Sequence, residues 1–286
     1  MQDQEQAAYI STPPTPTKTD GPSKPSPDAP AWGSGIALGY WILSVLLIVI
    51  IPAMILVPYA MMQDPPITDN KALVEFAKND KNAIVLQVLA IVPAHLLTLL
   101  LGWLIVTRGR KDSFKEALGW QSGGIRWWHY PLILISFFAV AGAVSSFFPE
   151  QDNDLIRMIQ SSQAALISVA LLATVTAPIV EELVYRGVMF SAFQKTLGVP
   201  AAFVLVTLLF ALVHVPQYWP SFSTIILLTL LSFILTGLRI YSKNLWPCIV
   251  LHTIFNGLQS VGLILSSYYE KKDPAAEAAF IATILK

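Results

Sequence analysis

Long apolar runs separated by short polar breaks dominate the sequence from about residue 36 onward. A helix needs about 20 apolar residues to cross the hydrocarbon core of a bilayer. Seven runs meet or approach that length, at approximately 36–59, 83–107, 130–148, 164–193, 200–215, 222–240 and 245–267. The pattern predicts an all-α fold, a polytopic transmembrane helix bundle with about seven membrane helices. The fourth run is overlong and the fifth is short, so a split or re-entrant segment there would change the number to six or eight.

Composition supports the same class of protein. Hydrophobic residues make up 55% of the chain and charged residues 13%, which excludes an ordinary soluble domain. Eighteen Lys and Arg residues balance eighteen Asp and Glu residues, so no basic field is available to hold a nucleic-acid backbone. We therefore exclude nucleic acid as a partner and expect membrane lipid instead. The single cysteine, Cys248, rules out an intrachain disulfide and is interpreted as a small packing residue.

The two ends of the chain differ from its centre. Residues 1–35 hold seven of the twenty prolines and no apolar run, so we predict a disordered Pro-rich tail. The first apolar run is too long for a cleavable signal peptide and is predicted to remain as a membrane anchor. A transmembrane helical domain is predicted over 36–268. Residues 269–286 are interpreted as a C-terminal tail or a helix that lies on the membrane surface.

The distribution of Lys and Arg gives an orientation. A cytoplasmic N-terminus places eleven basic residues inside and seven outside, and the loop from Arg108 to Arg126 contributes the strongest part of this bias. We therefore predict an integral multi-pass protein of the cell membrane with its N-terminus in the cytoplasm.

Two adjacent carboxylates stand inside the fourth apolar run. Glu181 and Glu182 are the only acidic residues between Asp154 and Glu270. One ionised group at the centre of a membrane helix costs roughly 2.5 to 3.5 kcal/mol, so two neighbouring carboxylates need partners. Arg186 lies four residues after Glu182 and about 40° around the helix, so it is placed to neutralise Glu182. Glu181 faces another direction without a counter-ion on its own helix, and is the candidate general base.

Two histidines lie in apolar runs downstream of this pair. A helix-helix turn at Gly198 lies midway between Glu181 and His214, so an antiparallel hairpin brings the two side chains level. On the last helix, His252 and Asn256 are four residues apart and share a face. A single buried histidine or asparagine is often only a packing residue, but together these groups predict one polar pocket. His95 and His129 each stand apart from this set and are interpreted as structural.

Three motifs in this region resemble the CPBP family, which includes the CAAX prenyl proteases and bacteriocin-processing enzymes and is also called Abi-type. The family pattern of two glutamates, three residues and an arginine is present at Glu181, Glu182 and Arg186. The pattern Phe-x-x-x-His is present from Phe210 to His214, and the pattern His-x-x-x-Asn from His252 to Asn256. One such motif is weak evidence, whereas the ordered set on apolar helices is strong. The resemblance places the protease core at about 164–268.

The resemblance implies an intramembrane endopeptidase. Its implied catalytic residues are Glu181, Glu182, Arg186, His214, His252 and Asn256, with Glu181 activating water and Arg186 orienting Glu182. The family has been described both as metalloproteases and as glutamate-dependent enzymes, and the sequence leaves both readings open. If zinc is the cofactor, its ligands would be Glu181, His214 and His252. If the enzyme is metal-independent, His252 and Asn256 would instead donate hydrogen bonds to the developing oxyanion.

The expected partner is a membrane-associated peptide or protein, namely a prenylated C-terminus, a leader peptide or a small membrane peptide. Two other classes compete with this interpretation. One is a noncatalytic membrane scaffold or immunity protein of the same fold. The other is a proton-coupled transporter that uses the two glutamates as a relay, although the first three predicted helices carry no acidic residue to extend such a path.

Overall fold

The structure of the chain is a computed structural model that describes residues 25–121 and 123–272, with side chains as far as residue 269. Its helices are α1 (Ser34–Met61), α2 (Asn70–Asn79), α3 (Lys81–Thr107), α4 (Phe114–Leu118), α5 (His129–Phe147), α6 (Asp154–Ser161), α7 (Gln163–Leu171), α8 (Ala177–Glu182), α9 (Phe190–Leu197), α10 (Val199–Tyr218), α11 (Phe222–Ser242) and α12 (Trp246–Lys272). Two π-helical segments join α7, α8 and α9, and we name them π1 (Leu172–Thr176) and π2 (Leu183–Met189).

Within the described residues, seven helical segments are long and apolar enough to cross a membrane, as the apolar runs predict. The fourth, Gln163–Leu197, is one continuous 35-residue segment made of α7, π1, α8, π2 and α9, so it is not split. The fifth, Val199–Tyr218, has 20 residues and follows a turn at Gly198, whose φ of +81° is a conformation that glycine adopts readily. The predicted hairpin between the fourth and fifth membrane helices is therefore present.

The core forms around π2. Residues Leu183, Val184 and Val188 of this segment are buried with Val106 from α3 and Phe210 from α10. Helix α1 packs against both α3 and π2, and α12 packs against α7, π1 and α8. The π2 segment is thus enclosed by protein on several sides, which allows it to carry polar side chains away from lipid.

A small residue permits the close contact between α1 and α3. Gly102 lies where the Tyr40 hydroxyl group of α1 donates a hydrogen bond to the Thr98 carbonyl oxygen of α3, at 2.9 Å. A Cβ atom at position 102 would clash with the Tyr40 hydroxyl and approach Leu183 Cδ2 within 2.8 Å. We expect Gly102→Ala to lower the free energy of unfolding by about 1 to 3 kcal/mol, because overpacking forces the helices apart. Thermal unfolding in detergent measures the loss.

Gly39→Ala is the matched control for this prediction. It lies on α1 next to Tyr40, and a Cβ atom there meets nothing within 4 Å. Equal melting temperatures for the two glycine variants would contradict close packing at Gly102.

The N-terminal boundary differs from the expected one. Residues 25–33, which fall in the predicted tail of 1–35, pack against the helices, and we call this stretch the strap. The Trp32 indole is 2% exposed and donates a hydrogen bond to the Val188 carbonyl oxygen in π2, at 3.0 Å. Gln194 and Lys195 of α9 donate to the carbonyl oxygens of Pro27 and Pro30. Proline content gave no indication that a buried tryptophan and two carbonyl contacts anchor the strap.

The rest of the tail prediction concerns residues 1–24, which lie outside the described residues. At the other end, α12 continues to Lys272, and the predicted tail or surface helix beyond it is also outside the described part. The strap, the loop after α3 and the α11–α12 turn lie at the same end of the bundle, because Gly119 is close to both Pro27 and the Lys243 carbonyl. That this end faces the cytoplasm stays a prediction.

Candidate active site

Glu182 and Arg186 form a buried ion pair, as the four-residue spacing predicts. Arg186 Nη1 donates to Glu182 Oε1 at 2.9 Å, and both side chains are 0% exposed. Taking two charges out of water costs several kcal/mol for each ion, so the pair needs further hydrogen bonds to be tolerated. Glu182 Oε2 is buried without a hydrogen-bond partner among the described residues, so the hydrogen bonds to this carboxylate are made through Oε1.

Helix α11 supplies the remaining partners of Arg186. Its Nη2 donates to the Ser232 carbonyl and hydroxyl oxygens at 3.1 and 2.8 Å, and its Nε donates to Thr236 Oγ1 at 3.3 Å. The guanidinium also lies 4.7 Å from the centre of the Phe210 ring, a cation–π distance. Arg186 is therefore held from three directions and fixes the Glu182 carboxylate in one orientation.

His252 lies between the two glutamates. Its Nδ1 atom is 2.8 Å from Glu182 Oε1, and its Nε2 atom is 3.8 Å from Glu181 Oε2. An ionised carboxylate only accepts hydrogen bonds, so Nδ1 carries the proton that is donated to Glu182. This leaves Nε2 of the neutral ring with a lone pair on the side of Glu181.

Glu181 differs from its neighbour in its surroundings. Its side chain is 23% exposed, whereas that of Glu182 is 0% exposed. The 3.8 Å separation from His252 is too long for a direct hydrogen bond. Glu181 is therefore free of the ion pair that holds Glu182, and its side chain is partly accessible.

Three side chains that the sequence analysis did not assign to the site lie within electrostatic reach of Glu181, namely His95, Tyr185 and Tyr218. His95 was interpreted as a separate structural residue. It is 4% exposed on α3, with Nδ1 2.9 Å from the Thr176 hydroxyl of π1. Tyr185 accepts a hydrogen bond from the Trp41 indole of α1, at 3.0 Å. The first two membrane helices thus contribute to the surroundings of Glu181.

Phe210 of the Phe-x-x-x-His motif packs against residues of the other two motifs. Its ring centre lies 4.8 Å from the His214 ring, 6.1 Å from the His252 ring and 5.0 Å from the Tyr185 ring. His214 is half-buried, and its Nδ1 donates to the Phe210 carbonyl oxygen at 2.7 Å. The His214 ring thus packs next to the Phe210 ring, and its Nδ1–H group is used in a hydrogen bond within α10.

The Asn256 side chain forms a hydrogen bond with a backbone carbonyl group of π1. Its side-chain nitrogen donates to the Ala173 carbonyl oxygen of π1 at 2.8 Å. In the same way, Arg239 Nε donates to the Arg186 carbonyl oxygen and Trp32 to the Val188 carbonyl oxygen, both in π2. A π-helical turn breaks the regular backbone pattern, and side chains of neighbouring helices satisfy the carbonyl groups that it releases. These three donors stabilise the distorted segments on either side of Glu181.

The expected zinc ligands do not come together. Among the described residues, no group of three or more His, Cys, Asp or Glu side chains is placed to hold a metal ion. His252 donates Nδ1–H to Glu182 and His214 donates Nδ1–H to the Phe210 carbonyl oxygen, which leaves Nε2 of each ring as its metal donor. Because no group of three such side chains converges among the described residues, no step of the proposed reaction is assigned to a metal.

Comparison with known proteins matches residues 163–258 to the family model "Type II CAAX prenyl endopeptidase Rce1-like". The match supports the assignment of this segment to the CPBP/CAAX protease family. The CAAX-protease segment covers 96 of the 286 residues, about a third of the chain, and includes all three motifs. No curated protein and no solved structure matches the chain. The matched model describes a protease family, and together with the seven apolar helices of the described residues it supports an integral multi-pass membrane protein.

Proposed function

We propose that the protein is an intramembrane endopeptidase in which Glu181 activates a water molecule for attack on a peptide carbonyl. One observation carries this proposal. Two adjacent glutamates have different environments. Glu182 is buried and neutralised by Arg186, while Glu181 is partly exposed and lies near His252. A carboxylate with no counter-ion on its own helix is suited to accept a proton.

The proposed reaction proceeds by addition and elimination. The Glu181 carboxylate takes a proton from water as the water oxygen bonds to the carbonyl carbon. The same proton then passes to the departing amide nitrogen as the carbon–nitrogen bond breaks, which gives a carboxylic acid and an amine. The acid then loses the second proton of the water to the amine or to solvent, and a carboxylate remains. General acid–base catalysis of this kind contributes about 10²- to 10⁴-fold to a rate.

His252 positions the attacking water in this proposal. Its Nδ1–H is held by Glu182, which fixes the ring and directs the Nε2 lone pair toward Glu181. A water molecule in hydrogen-bond contact with both Nε2 and Glu181 Oε2 would lie beside the 3.8 Å line that joins them. Arg186 acts through Glu182 and is a positioning residue.

The contacts favour Asn256 over His252 as the oxyanion donor of a metal-independent reaction. The neutral His252 ring has one N–H group and donates it to Glu182, while Asn256 donates one of its two N–H groups to Ala173. The second Asn256 N–H group remains a candidate oxyanion donor. His214 is a candidate for contact with the substrate.

For the substrate we propose a peptide with a prenylated C-terminus. The name of the matching family model supports this choice, and a prenyl chain would anchor such a peptide in the bilayer beside the bundle. Leader peptides and small membrane peptides are the other substrate classes. All three would reach Glu181 from within or near the membrane.

The test is cleavage by the purified full-length protein in lipid nanodiscs. One peptide carries a farnesylated cysteine near its C-terminus, and a second is identical except for a free cysteine. We expect the farnesylated peptide to be cleaved at least tenfold faster, because the lipid concentrates it at the membrane. Mass spectrometry identifies the bond that is cut.

A metal chelator in the same assay is expected to leave the rate unchanged, since no group of three or more His, Cys, Asp or Glu side chains in the described part of the chain is placed to hold a metal ion. Loss of cleavage with the chelator and recovery with added zinc would contradict the proposed mechanism. Cleavage of a leader peptide but of neither cysteine peptide would change the substrate and keep the reaction. No cleavage of any of the three by the wild-type protein would overturn the proposed function.

A further inference from the structure

A cavity of about 240 Å³ lies at the end of the bundle where α1 begins, away from Glu181. It is bordered by the strap, α9, the start of α10 and the end of α11. Its polar lining residues are Asp28, Gln194, Arg239 and Lys243. Three of these side chains donate hydrogen bonds and two of those are cations, so the cavity has the chemistry of an anion site.

Arg239 is the strongest indication of a ligand. It is 2% exposed, yet its Nη1 atom is buried without a hydrogen-bond partner. Its Nε atom donates to the Arg186 carbonyl oxygen at 3.1 Å, and its Nη2 atom lies 3.4 Å from Ser191 Oγ. Within the described chain no carboxylate is in ion-pair contact with Arg239. A buried guanidinium without a counter-ion is costly, and an anion in the adjoining cavity would offset that cost.

Asp28 of the strap provides an internal anion at the rim. Its Oδ2 atom is 2.5 Å from Lys243 Nζ, and its Oδ1 atom is 3.4 Å from Gln194 Nε2. The side chains of Lys243 and Asp28 are 68% and 52% exposed, and exposed ion pairs contribute little to stability. An external anion with more oxygen atoms is therefore able to replace Asp28 on Lys243 at low cost.

We propose that this cavity binds a phosphate group between Arg239 and Lys243 and displaces the Asp28 carboxylate. A phosphate presents several acceptor oxygens, which suits a guanidinium and an ammonium group together. The same chemistry is found in the headgroup of an anionic lipid and in free phosphate. A volume of about 240 Å³ is several times the roughly 30 Å³ of one water molecule, so there is room for a phosphate group.

The first experiment measures binding by the purified full-length protein in detergent, with inorganic phosphate as the probe. Titration calorimetry is performed on the wild type, Lys243→Gln and Asp28→Asn. We expect Lys243→Gln to weaken binding at least fivefold, and Asp28→Asn to strengthen it by a similar factor because the internal competitor is removed. Lys71→Gln, which removes an exposed cation on α2, is the matched control and is expected to bind as the wild type does.

The second experiment separates the two sources of phosphate. Native mass spectrometry compares retention of phosphatidylglycerol with that of phosphatidylcholine by the same four proteins. Preferential retention of phosphatidylglycerol that is lost in Lys243→Gln assigns the site to a lipid headgroup. Phosphate binding without that lipid preference assigns it to a free anion, and either result supports the proposal.

Arg239→Gln is expected to abolish binding, but its bond to the Arg186 carbonyl also supports the fold. The two surface variants keep the proposal falsifiable if that protein does not fold. Equal behaviour of the wild type, Lys243→Gln and Asp28→Asn toward both phosphate and phosphatidylglycerol would overturn it. Binding is measured without proteolysis, so this result is independent of the proposed function.

Discussion

Glu181→Gln is expected to lower the rate of peptide cleavage by at least about 10²-fold, because the amide cannot accept a proton from water. The substitution keeps the size and shape of the side chain. Among the described residues Glu181 makes no ion pair with an arginine or lysine, and it is 23% exposed, so the melting temperature is expected to stay close to that of the wild type. Initial rates with the farnesylated peptide, together with thermal unfolding, measure both properties.

Glu116→Gln is the matched control for Glu181. Glu116 is an exposed carboxylate on α4, outside the membrane-spanning helices. It is expected to cleave as the wild type does. A Glu181→Gln protein that is folded and cleaves at the wild-type rate would remove Glu181 as the base.

Arg186→Met is expected to lower the free energy of unfolding by about 3 to 5 kcal/mol. It leaves Glu182 as a buried, unpaired charge, and this is the costly way to break a buried ion pair. It also removes the hydrogen bonds to Ser232 and Thr236 that join π2 to α11. Unfolding by titration with a denaturing detergent measures the loss.

Two comparisons identify the cause of that loss. Arg157→Met removes an arginine that is 59% exposed and paired at the surface with Asp152 and Asp154, so it is expected to change stability little. Adding Glu182→Gln to Arg186→Met is expected to restore part of the stability, because the stranded charge is removed. A double variant that is less stable than Arg186→Met would contradict the buried-charge explanation.

Local periodicity was sufficient to predict much of this structure. The seven membrane helices follow from apolar run lengths, and the Glu182–Arg186 pair follows from a spacing of four residues. The hairpin follows from Gly198 and the residues around it. Each of these features depends on residues that are near one another in sequence, where helix geometry leaves few alternatives.

The contacts that complete the site were not predictable in this way. His252 contacts Glu182 across 70 positions, and Trp41 reaches Tyr185 across 144. Which side chains meet depends on helix rotation and crossing, and a single sequence does not specify these. The π-helical segments carry no local signal of their own, because the donors that satisfy their carbonyl groups come from distant helices. Whether zinc binds stays a prediction, since both histidines donate Nδ1–H elsewhere and keep the lone pair of Nε2.

The most direct measurement is a double-mutant cycle on cleavage of the farnesylated peptide by wild type, Glu181→Gln, His252→Gln and the combined variant. If both side chains hold the same attacking water, the second substitution removes little that the first has left. We expect the combined variant to cleave about as slowly as Glu181→Gln alone. A fold loss of rate in the combined variant equal to the product of the two single fold losses would show that Glu181 and His252 act independently. That result would contradict a shared role in holding the attacking water.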